Sequence, residues 1–528
     1  MFRILVSDPI SEQGLAALYA AENMQIDIKM GLKEEELCAV IGEYDALLVR
    51  SQTKVTAKVL ESAKRLRVIG RAGVGVDNID VETATRCGIV VINAPDGNTI
   101  STAEHTFAMM MAMARKIPQA DASLRRGEWD RKSFVGVELN NKILGILGLG
   151  RIGTEVAKRA MAFGMRVLAY DPFLTESRAE SLGVRKATVD EIVTQADFIT
   201  VHTPLTKETK HLLSEREFEM MKQGVRILNC ARGGIIKESA LIEALKSGKV
   251  AGAALDVYEE EPLAAEHPLR DFQNVVLTPH LGASTKEAQI NVAIDVADEV
   301  AKFLRNEPFK NAVNLPSLPA ERMQQVQPFL TLGEKLGKLA AQLLKGNVSK
   351  LQITYGGEVA TYEVGPITRT ILKGFLAYHH GDEVNYVNAP FIAEQNGIIV
   401  NETKTSKAKV FTNMITLEVE SNGETKTVTG TLYNGFGPRI VQINGYTVDA
   451  APEGQMLITL HEDIPGIIGR IGTILGNDGV NIATMQVGRR EAGGTALMVM
   501  GVDARVSGQA LNEIARMEPI HSVYLVEL

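Results

Sequence analysis

Three short runs hold side chains that could do chemistry together: Asn229-Cys230-Ala231-Arg232-Gly233-Gly234, Asp256-Val257-Tyr258-Glu259-Glu260-Glu261-Pro262 and Pro279-His280-Leu281-Gly282-Ala283. The segments before them read as short buried parallel strands, and open α/β folds keep reactive side chains at such strand ends. Histidine exchanges protons near neutral pH, which makes His280 a candidate acid–base. Arg232 is followed by two glycines that keep the backbone open. Its guanidinium can grip a carboxylate with two hydrogen bonds and polarise an adjacent carbonyl. One carboxylate of the 256–262 run could hold a histidine in its working tautomer, although a solvated acidic loop accounts for the same residues. Cys230 has no basic neighbour in its run other than Arg232 and reads as a small packing residue.

A fourth run supplies the partner chemistry. Gly148-Leu149-Gly150-Arg151-Ile152-Gly153 follows the apolar stretch Lys142–Leu147 and precedes a good helix former, Thr154–Met161. A second strand, Met165–Tyr170, then ends in Asp171. Strand, glycine turn, helix, strand and acid in this order form a dinucleotide fingerprint. The first glycine permits the tight turn, the second lets a pyrophosphate approach, and the third packs helix on strand. The start of the helix offers unpaired N–H groups to the phosphates. A carboxylate at Asp171 accepts from both ribose hydroxyls and repels a 2′-phosphate, which favours NAD over NADP. Hydride transfer between an alcohol and NAD needs a base for the hydroxyl proton, a cation for the oxygen and carboxylate, and an acid behind the base.

The elements that must position these groups can be read along the chain. Phe2–Ser7, Ala46–Val49, Leu66–Gly70 and Ile89–Ile92 read as short buried strands with helical patterns between them. A long apolar helix is predicted over Ser101–Arg115, and later strands at Phe198–Val201, Val225–Asn229, Ala253–Asp256 and Val275–Thr278. A helix from about Thr285 to Leu304 is expected to return the chain to the first unit. The fold class is therefore α/β: two lobes of doubly wound, Rossmann-type parallel sheet with a cleft between them. Asn314–Pro319 reads as a linker. Turn signals at Gly356-Gly357, Asn422-Gly423 and Asn444-Gly445 among short β-rich runs such as Thr425–Leu432 point to a mixed α/β domain. The last segment reads as strand Met456–Leu460, helix Pro465–Leu475, strands Val480–Met485 and Thr495–Gly501, helix Gln509–Arg516 and strand Ser522–Val526. That order, βαββαβ, is ferredoxin-like. The expected boundaries are 1–96 plus 283–315 for the first lobe, 97–282 for the dinucleotide domain, 320–450 for the mixed domain and 454–528 for the ferredoxin-like module.

Composition narrows the classes. The 528 residues carry 56 Lys and Arg against 64 Asp and Glu, a net charge of −8, so nothing suggests a nucleic-acid footprint. Any anion must be bound by locally gathered arginines. Cys38, Cys87 and Cys230 are odd in number and far apart, which fits a reducing cytoplasm rather than a disulfide framework. No Cys/His cluster has zinc spacing, so no metal is expected. The N-terminus turns polar too soon for a signal peptide, and no apolar stretch is long enough to span a membrane.

The glycine turn, the Cys-Ala-Arg-Gly-Gly run, the acidic run before Pro262 and the Pro-His-Leu-Gly-Ala-Ser run resemble the D-isomer-specific 2-hydroxyacid dehydrogenase family, over residues 1 to about 315. The resemblance implies a catalytic trio of Arg232, Glu261 and His280, with the acid at Glu261 because the family's glutamate precedes a proline. It implies NAD contacts at Gly148, Gly150, Arg151, Ile152, Gly153, Asp171, Thr203, Cys230, Ala231, Arg232, Asp256, His280, Leu281, Gly282 and Ala283. In that set Asp256 binds the nicotinamide carboxamide.

Val49-Arg50-Ser51 and Gly70–Asn78 sit at strand ends of the first lobe. Two arginines there, beyond Arg232, suggest a second anionic group on the substrate, and a phosphate meets that demand. With Pro95–Thr99 and the two C-terminal modules, the chain is similar to long-form members of the family that carry an intervening domain and an ACT domain. Those members oxidise 3-phospho-D-glycerate (3-phosphoglycerate) to 3-phosphooxypyruvate, the first step of L-serine biosynthesis. The similarity implies Arg50, Ser51 and Arg71 on the phosphate, with Gly73, Val74, Asn98 and Arg232 around the carboxylate and carbonyl. Val74 stands where close relatives carry a hydroxyl residue. Reduction of 2-oxoglutarate, another dianionic 2-oxo acid, is an expected side reaction.

Leu460–Gly466 and Gly479–Ile482 match the amino-acid-binding loop of an ACT domain and its partner segment. The match implies L-serine as effector, with His461, Asp463 and Asn481 as contacts. Asp463 stands where some serine-sensitive relatives carry Asn. In this family the segment around Trp129, Arg131 and Lys132 crosses to a neighbouring subunit, so a homo-oligomer, dimer or tetramer, is expected. Two alternatives stay open: a different D-2-hydroxyacid dehydrogenase, or an NAD-sensing scaffold built on the same fold.

Overall fold

In the computed structural model, residues 1–528 are described except Ser317, Pro319, Lys345, Lys409 and Asn434, and for Ala320 and Asp382 only the backbone is. The N-terminal region is a five-stranded parallel sheet in the order Met24–Ile28, Phe2–Val6, Ala46–Val49, Val68–Arg71, Val90–Asn93. Strand Met24–Ile28 lies at the edge, and its polar alternation hides it from a search for apolar runs. The second sheet has seven parallel strands. Their order is Val275–Leu277, Val250–Leu255, Val225–Asn229, Phe198–Val201, Ile143–Leu147, Arg166–Tyr170, Arg185–Lys186.

Helix Thr99–Arg115 buries Ala103, Phe107, Met110 and Met113 against this second sheet. It ends at Lys116 in a left-handed turn, and a second helix, Ile117–Arg125, follows that periodicity did not reveal. Helix Lys286–Leu304 starts at Thr285, whose hydroxyl accepts the Ala288 N–H. It buries Val292, Val296, Val300 and Phe303 against the first sheet. The segments near 97 and 283 thus cross side by side between the lobes, and Gly97 lies so close to Val292 that a Cβ would not fit.

Only part of the linker expected over Asn314–Pro319 is described, because Ser317 and Pro319 lie outside the described residues. Helices Ala320–Gln342 and Gly365–His380 then pack closely at Gly337 and Gly374, where a side chain would strike the facing backbone. They cover a six-stranded sheet that is antiparallel except for Val348–Gly357 beside Ile399–Thr405.

The last sheet is antiparallel, in the order Ile482–Arg489, Thr495–Val502, Gln455–Glu462, Ile520–Glu527. Its strands alternate. Leu457, Met498 and Met500 face helices Ile467–Asn477 and Gly508–Ala515, while Met456, Ile458, Leu497 and Val499 join the core of the preceding domain. Gln342 locks that junction by pairing with the backbone of Glu527 in both directions. The strand expected over Val480–Met485 starts later, at Ile482, because the Val480 N–H still closes the preceding helix on Leu475. Among the described residues no helix is long and apolar enough to cross a membrane, and no His/Cys/Asp/Glu group is gathered to hold a metal.

Candidate functional site

Every candidate catalytic or ligand-binding residue of the two lobes lies at or just beyond the carboxyl end of a parallel strand, or on the crossing segments that follow. That edge is where open α/β sheets bind ligands. The glycine turn shows three different requirements. Gly148 has φ of +99°, and a Cβ there would lie 2.5 Å from the His202 carbonyl oxygen. Gly153 packs its backbone on the Gly148 carbonyl, where a side chain would collide. A Cβ on Gly150 would meet nothing within 4 Å, so its surface faces open space at the start of helix Arg151–Ala162. Asp171 accepts from the Leu149 and Phe173 N–H groups at 3.0 and 2.9 Å, which ties the acid to the turn. Thr203 Oγ1 and His202 Nδ1 are buried beside it with no partner among the described residues. A glycine cradle, free helix N–H groups and unpartnered polar atoms fit a dinucleotide.

His280 and Glu261 are brought together: Nδ1 lies 2.7 Å from Oε2. The other oxygen of Glu261 accepts the Tyr258 N–H at 3.1 Å. Burial pushes the Glu261 carboxyl up, but the hydrogen bond and charge of His280, with the Tyr258 N–H, outweigh it and hold the group below the usual range. His280 stands at φ of +56° on a loop fixed by Asp256. Asp256 is 1% exposed and accepts from the N–H groups of Leu281 and Gly282, from Thr278 Oγ1, and from His105 Nε2 at 3.1 Å. These donors occupy most of its carboxylate. Its first task is to hold the 278–282 loop, and the carboxamide contact expected of it would have to share Oδ2 with Gly282. The Ser101 hydroxyl donates to the Gly282 carbonyl from the other lobe-crossing segment. Cys230 is buried, and burial pushes its thiol up to about 12, which suits packing and not nucleophilic attack.

Three guanidiniums gather near this site, Arg50 and Arg71 from the first lobe and Arg232 from the second. Arg232 Nη2 and Arg71 Nη1 lie directly over Gly75 and Gly73, where side chains would displace them. Arg71 is half-buried, its Nε is buried with no partner among the described residues, and desolvation followed by the charge of Arg232 lowers its pKa to about 10, with Arg50 adding to the same effect. It stays charged at neutral pH. Arg50 is held through its backbone: buried Asp8 accepts from the N–H groups of Arg50, Gln52 and Thr53. Asn98 Oδ1 and Thr99 Oγ1 are buried between the lobes without partners among the described residues. Asn93 donates to the Val74 carbonyl and sets that loop against the strand edge.

Comparison with known proteins decides the family. Over 529 aligned residues the chain is 47% identical to the D-3-phosphoglycerate dehydrogenase of Archaeoglobus fulgidus and 48% identical to that of Bacillus subtilis, covering the whole of both chains in each case. The chain belongs to the D-3-phosphoglycerate dehydrogenase family. Residues 107–282 match the D-isomer specific 2-hydroxyacid dehydrogenase NAD binding domain, 325–444 the D-3-phosphoglycerate dehydrogenase intervening domain, and 455–518 the ACT domain. Among solved structures, the D-lactate dehydrogenase of Aquifex aeolicus complexed with NAD and lactic acid is 28% identical with a TM-score of 0.53; it covers 60% of this chain and 100% of its own.

Within this chain the expected effector trio is not assembled. His461 is 1% exposed and faces Thr459, and burial pushes its imidazole down. Asp463 pairs with Arg489 and the Gly493 N–H. Asn481 lies by the other end of the sheet on Asp503. The register puts His461 opposite Ala496, while the strand after Asn481 begins opposite Val502, a separation of roughly 20 Å at about 3.4 Å per residue. One chain therefore cannot bring Asn481 to a ligand held by Asp463. Sequence reasoning also missed Asp8, Asp77, Thr99 and His105. Thr99 and Asp77 stood beside recognised motifs, whereas Asp8 and His105 gave no local signal.

Proposed function

We propose that the cleft oxidises 3-phospho-D-glycerate to 3-phosphooxypyruvate with NAD, the first step of L-serine biosynthesis. The reading is carried by one juxtaposition: a His280–Glu261 pair and Arg232 at the same strand edge as a dinucleotide cradle, with Arg71 and Arg50 of the first lobe close enough to Arg232 for their charges to interact. Nδ1 of His280 donates to Glu261, which leaves Nε2 free to accept the substrate hydroxyl proton. Glu261 keeps the ring oriented and stabilises its charged form. Arg232 holds the carboxylate and the developing carbonyl oxygen. Arg50, Ser51 and Arg71 take the phosphate, and Gly73, Val74 and Asn98 flank the carbon chain. NAD, bound across Gly148–Gly153, Asp171, Thr203, Cys230, Ala231, Arg232, Asp256 and His280–Ala283, supplies the hydride acceptor. Trapping the product with hydrazine tests this: a phosphorylated 2-oxo acid hydrazone forms only with NAD present, and its absence refutes the reaction.

A dianionic 2-oxo acid such as 2-oxoglutarate meets the same cations, so we infer its reduction as a side activity. We infer L-serine as the amino-acid effector, held at the Leu460–Gly466 loop with Asn481 supplied by a second copy. Trp129 is 82% exposed, with Arg131 and Lys132 exposed beside it, which suits a face buried in a homodimer or tetramer. Three free, scattered cysteines fit a cytoplasmic setting.

A further inference from the structure

The arginine cluster contains a carboxylate that the reaction does not call for. Asp77 Oδ2 lies 3.2 Å from Arg232 Nε. The two residues come from different lobes: Asp77 from the loop after strand Val68–Arg71, Arg232 from the loop after Val225–Asn229. The pair lies flat on Gly75, where a Cβ would stand 2.5 Å from Asp77 Oδ2 and strike the Arg232 guanidinium. Glycine at 75 is what lets both groups reach this spot. Asp77 also faces Arg71, whose charge it favours against the repulsion of Arg232 and Arg50.

The other acid near the cluster, Asp8, is consumed by backbone N–H groups and the Thr53 hydroxyl. Asp77 has no such engagement among the described residues; it is 69% exposed and held by Arg232 alone. A negative charge among cations gathered for a phosphorylated acid opposes substrate binding unless it leaves. It uses only the Nε edge of Arg232. The Nη1 group is turned to the Ala231 carbonyl at 2.6 Å, and Nη2 lies over Gly75. A substrate carboxylate seeking two parallel bonds from Arg232 must compete with Asp77 for the Nε edge.

We propose that Asp77 stands in for the substrate carboxylate, neutralising Arg232 across the two lobes and yielding it when substrate binds. It is thus a specificity residue that sets how much negative charge a ligand must bring. The proposal rests on the reading of Arg232 given above.

The test measures KM and kcat for 3-phosphoglycerate, and the competitive inhibition constant of oxalate, in Asp77→Asn, Asp77→Glu and Arg232→Gln. In Asp77→Asn both KM and the oxalate constant fall by roughly threefold or more, as expected for loss of one competing ion pair. The change in kcat is smaller than the change in KM, and KM for NAD does not move. Asp77→Glu restores weak binding. A KM that stays the same or rises in Asp77→Asn overturns the proposal, because Asp77 would then support Arg232 instead of competing for it. If Arg232→Gln turns over like the wild type, the assignment of Arg232 itself fails and the proposal falls with it. A collapse of Arg232→Gln with an unmoved Asp77→Asn refutes the proposal alone.

Discussion

Glu261 touches His280 through one oxygen, at 2.7 Å from Nδ1, and is itself pinned through the other by the Tyr258 N–H at 3.1 Å. The ring is therefore oriented by a group that cannot swing away without breaking its hydrogen bond to the Tyr258 N–H. His280→Gln removes the base and lowers kcat by about 10³-fold, within the usual range for a positioned proton acceptor. Glu261→Gln keeps the shape but loses the charge, and lowers kcat by about 10²-fold with KM for both substrates nearly unchanged. NADH formation by the purified variants measures both, and a Glu261→Gln enzyme at the wild-type rate would show that the pair is only structural.

The glycine turn separates folding from cofactor binding. Gly148→Ala places a Cβ at φ of +99° and 2.5 Å from the His202 carbonyl oxygen. It costs about 1–3 kcal/mol of stability. Gly150→Ala meets nothing within 4 Å, so its unfolding temperature stays at the wild-type value while KM for NAD rises. Calorimetry and a titration of NAD distinguish the two, and equal loss of stability in both would contradict the assignment of Gly150 to the ligand side.

His202, beside that turn, is held neutral: burial pushes its imidazole from 6.5 down to about 4. The unfolded chain takes up a proton below pH 6.5 that the folded chain refuses until about pH 4. Its contribution to stability is therefore complete above pH 6.5 and declines by about 1.4 kcal/mol per pH unit toward pH 4. His202→Gln flattens that decline in thermal unfolding measured from pH 7 to pH 5. Parallel curves for the variant and the wild type would contradict a neutral buried ring.

Much of this site was legible because its motifs are local. The glycine turn, the acid after the second strand and the histidine after the last strand each follow an apolar run that must be buried in a parallel sheet. What stayed hidden depends on residues distant in sequence. Asp8 fixes the Arg50–Thr53 loop across more than forty residues, and His105 reaches Asp256 from a helix that reads as a core or interface helix. Asn481 looked like a partner of His461 because both sit in recognisable ACT segments, yet only the strand register sets their separation. Strand Met24–Ile28 escaped because an edge strand can be half polar.

If L-serine is held as proposed above, the separation of Asp463 from Asn481 makes its binding a property of an assembly. L-serine gives calorimetric heat with the wild-type oligomer, and Asp463→Ala or Asn481→Ala each abolish it. Trp129→Gly, at the face we assign to a neighbouring copy, lowers the mass measured by light scattering. Unchanged mass would move the interface elsewhere, and absence of heat at millimolar serine would remove serine as the ligand.

On the function proposed above, three arginines read a phosphate as well as a carboxylate. NADH formation is followed at 340 nm with NAD and either 3-phosphoglycerate or D-glycerate, product being removed enzymatically, in the wild type and in Arg71→Gln. The wild type turns over the phosphorylated acid and is nearly inactive on D-glycerate. Arg71→Gln raises KM for 3-phosphoglycerate roughly 10- to 100-fold, the loss of a charged hydrogen bond, and leaves KM for NAD alone. Equal rates with the two acids, or an Arg71→Gln enzyme that keeps the wild-type preference, would contradict it.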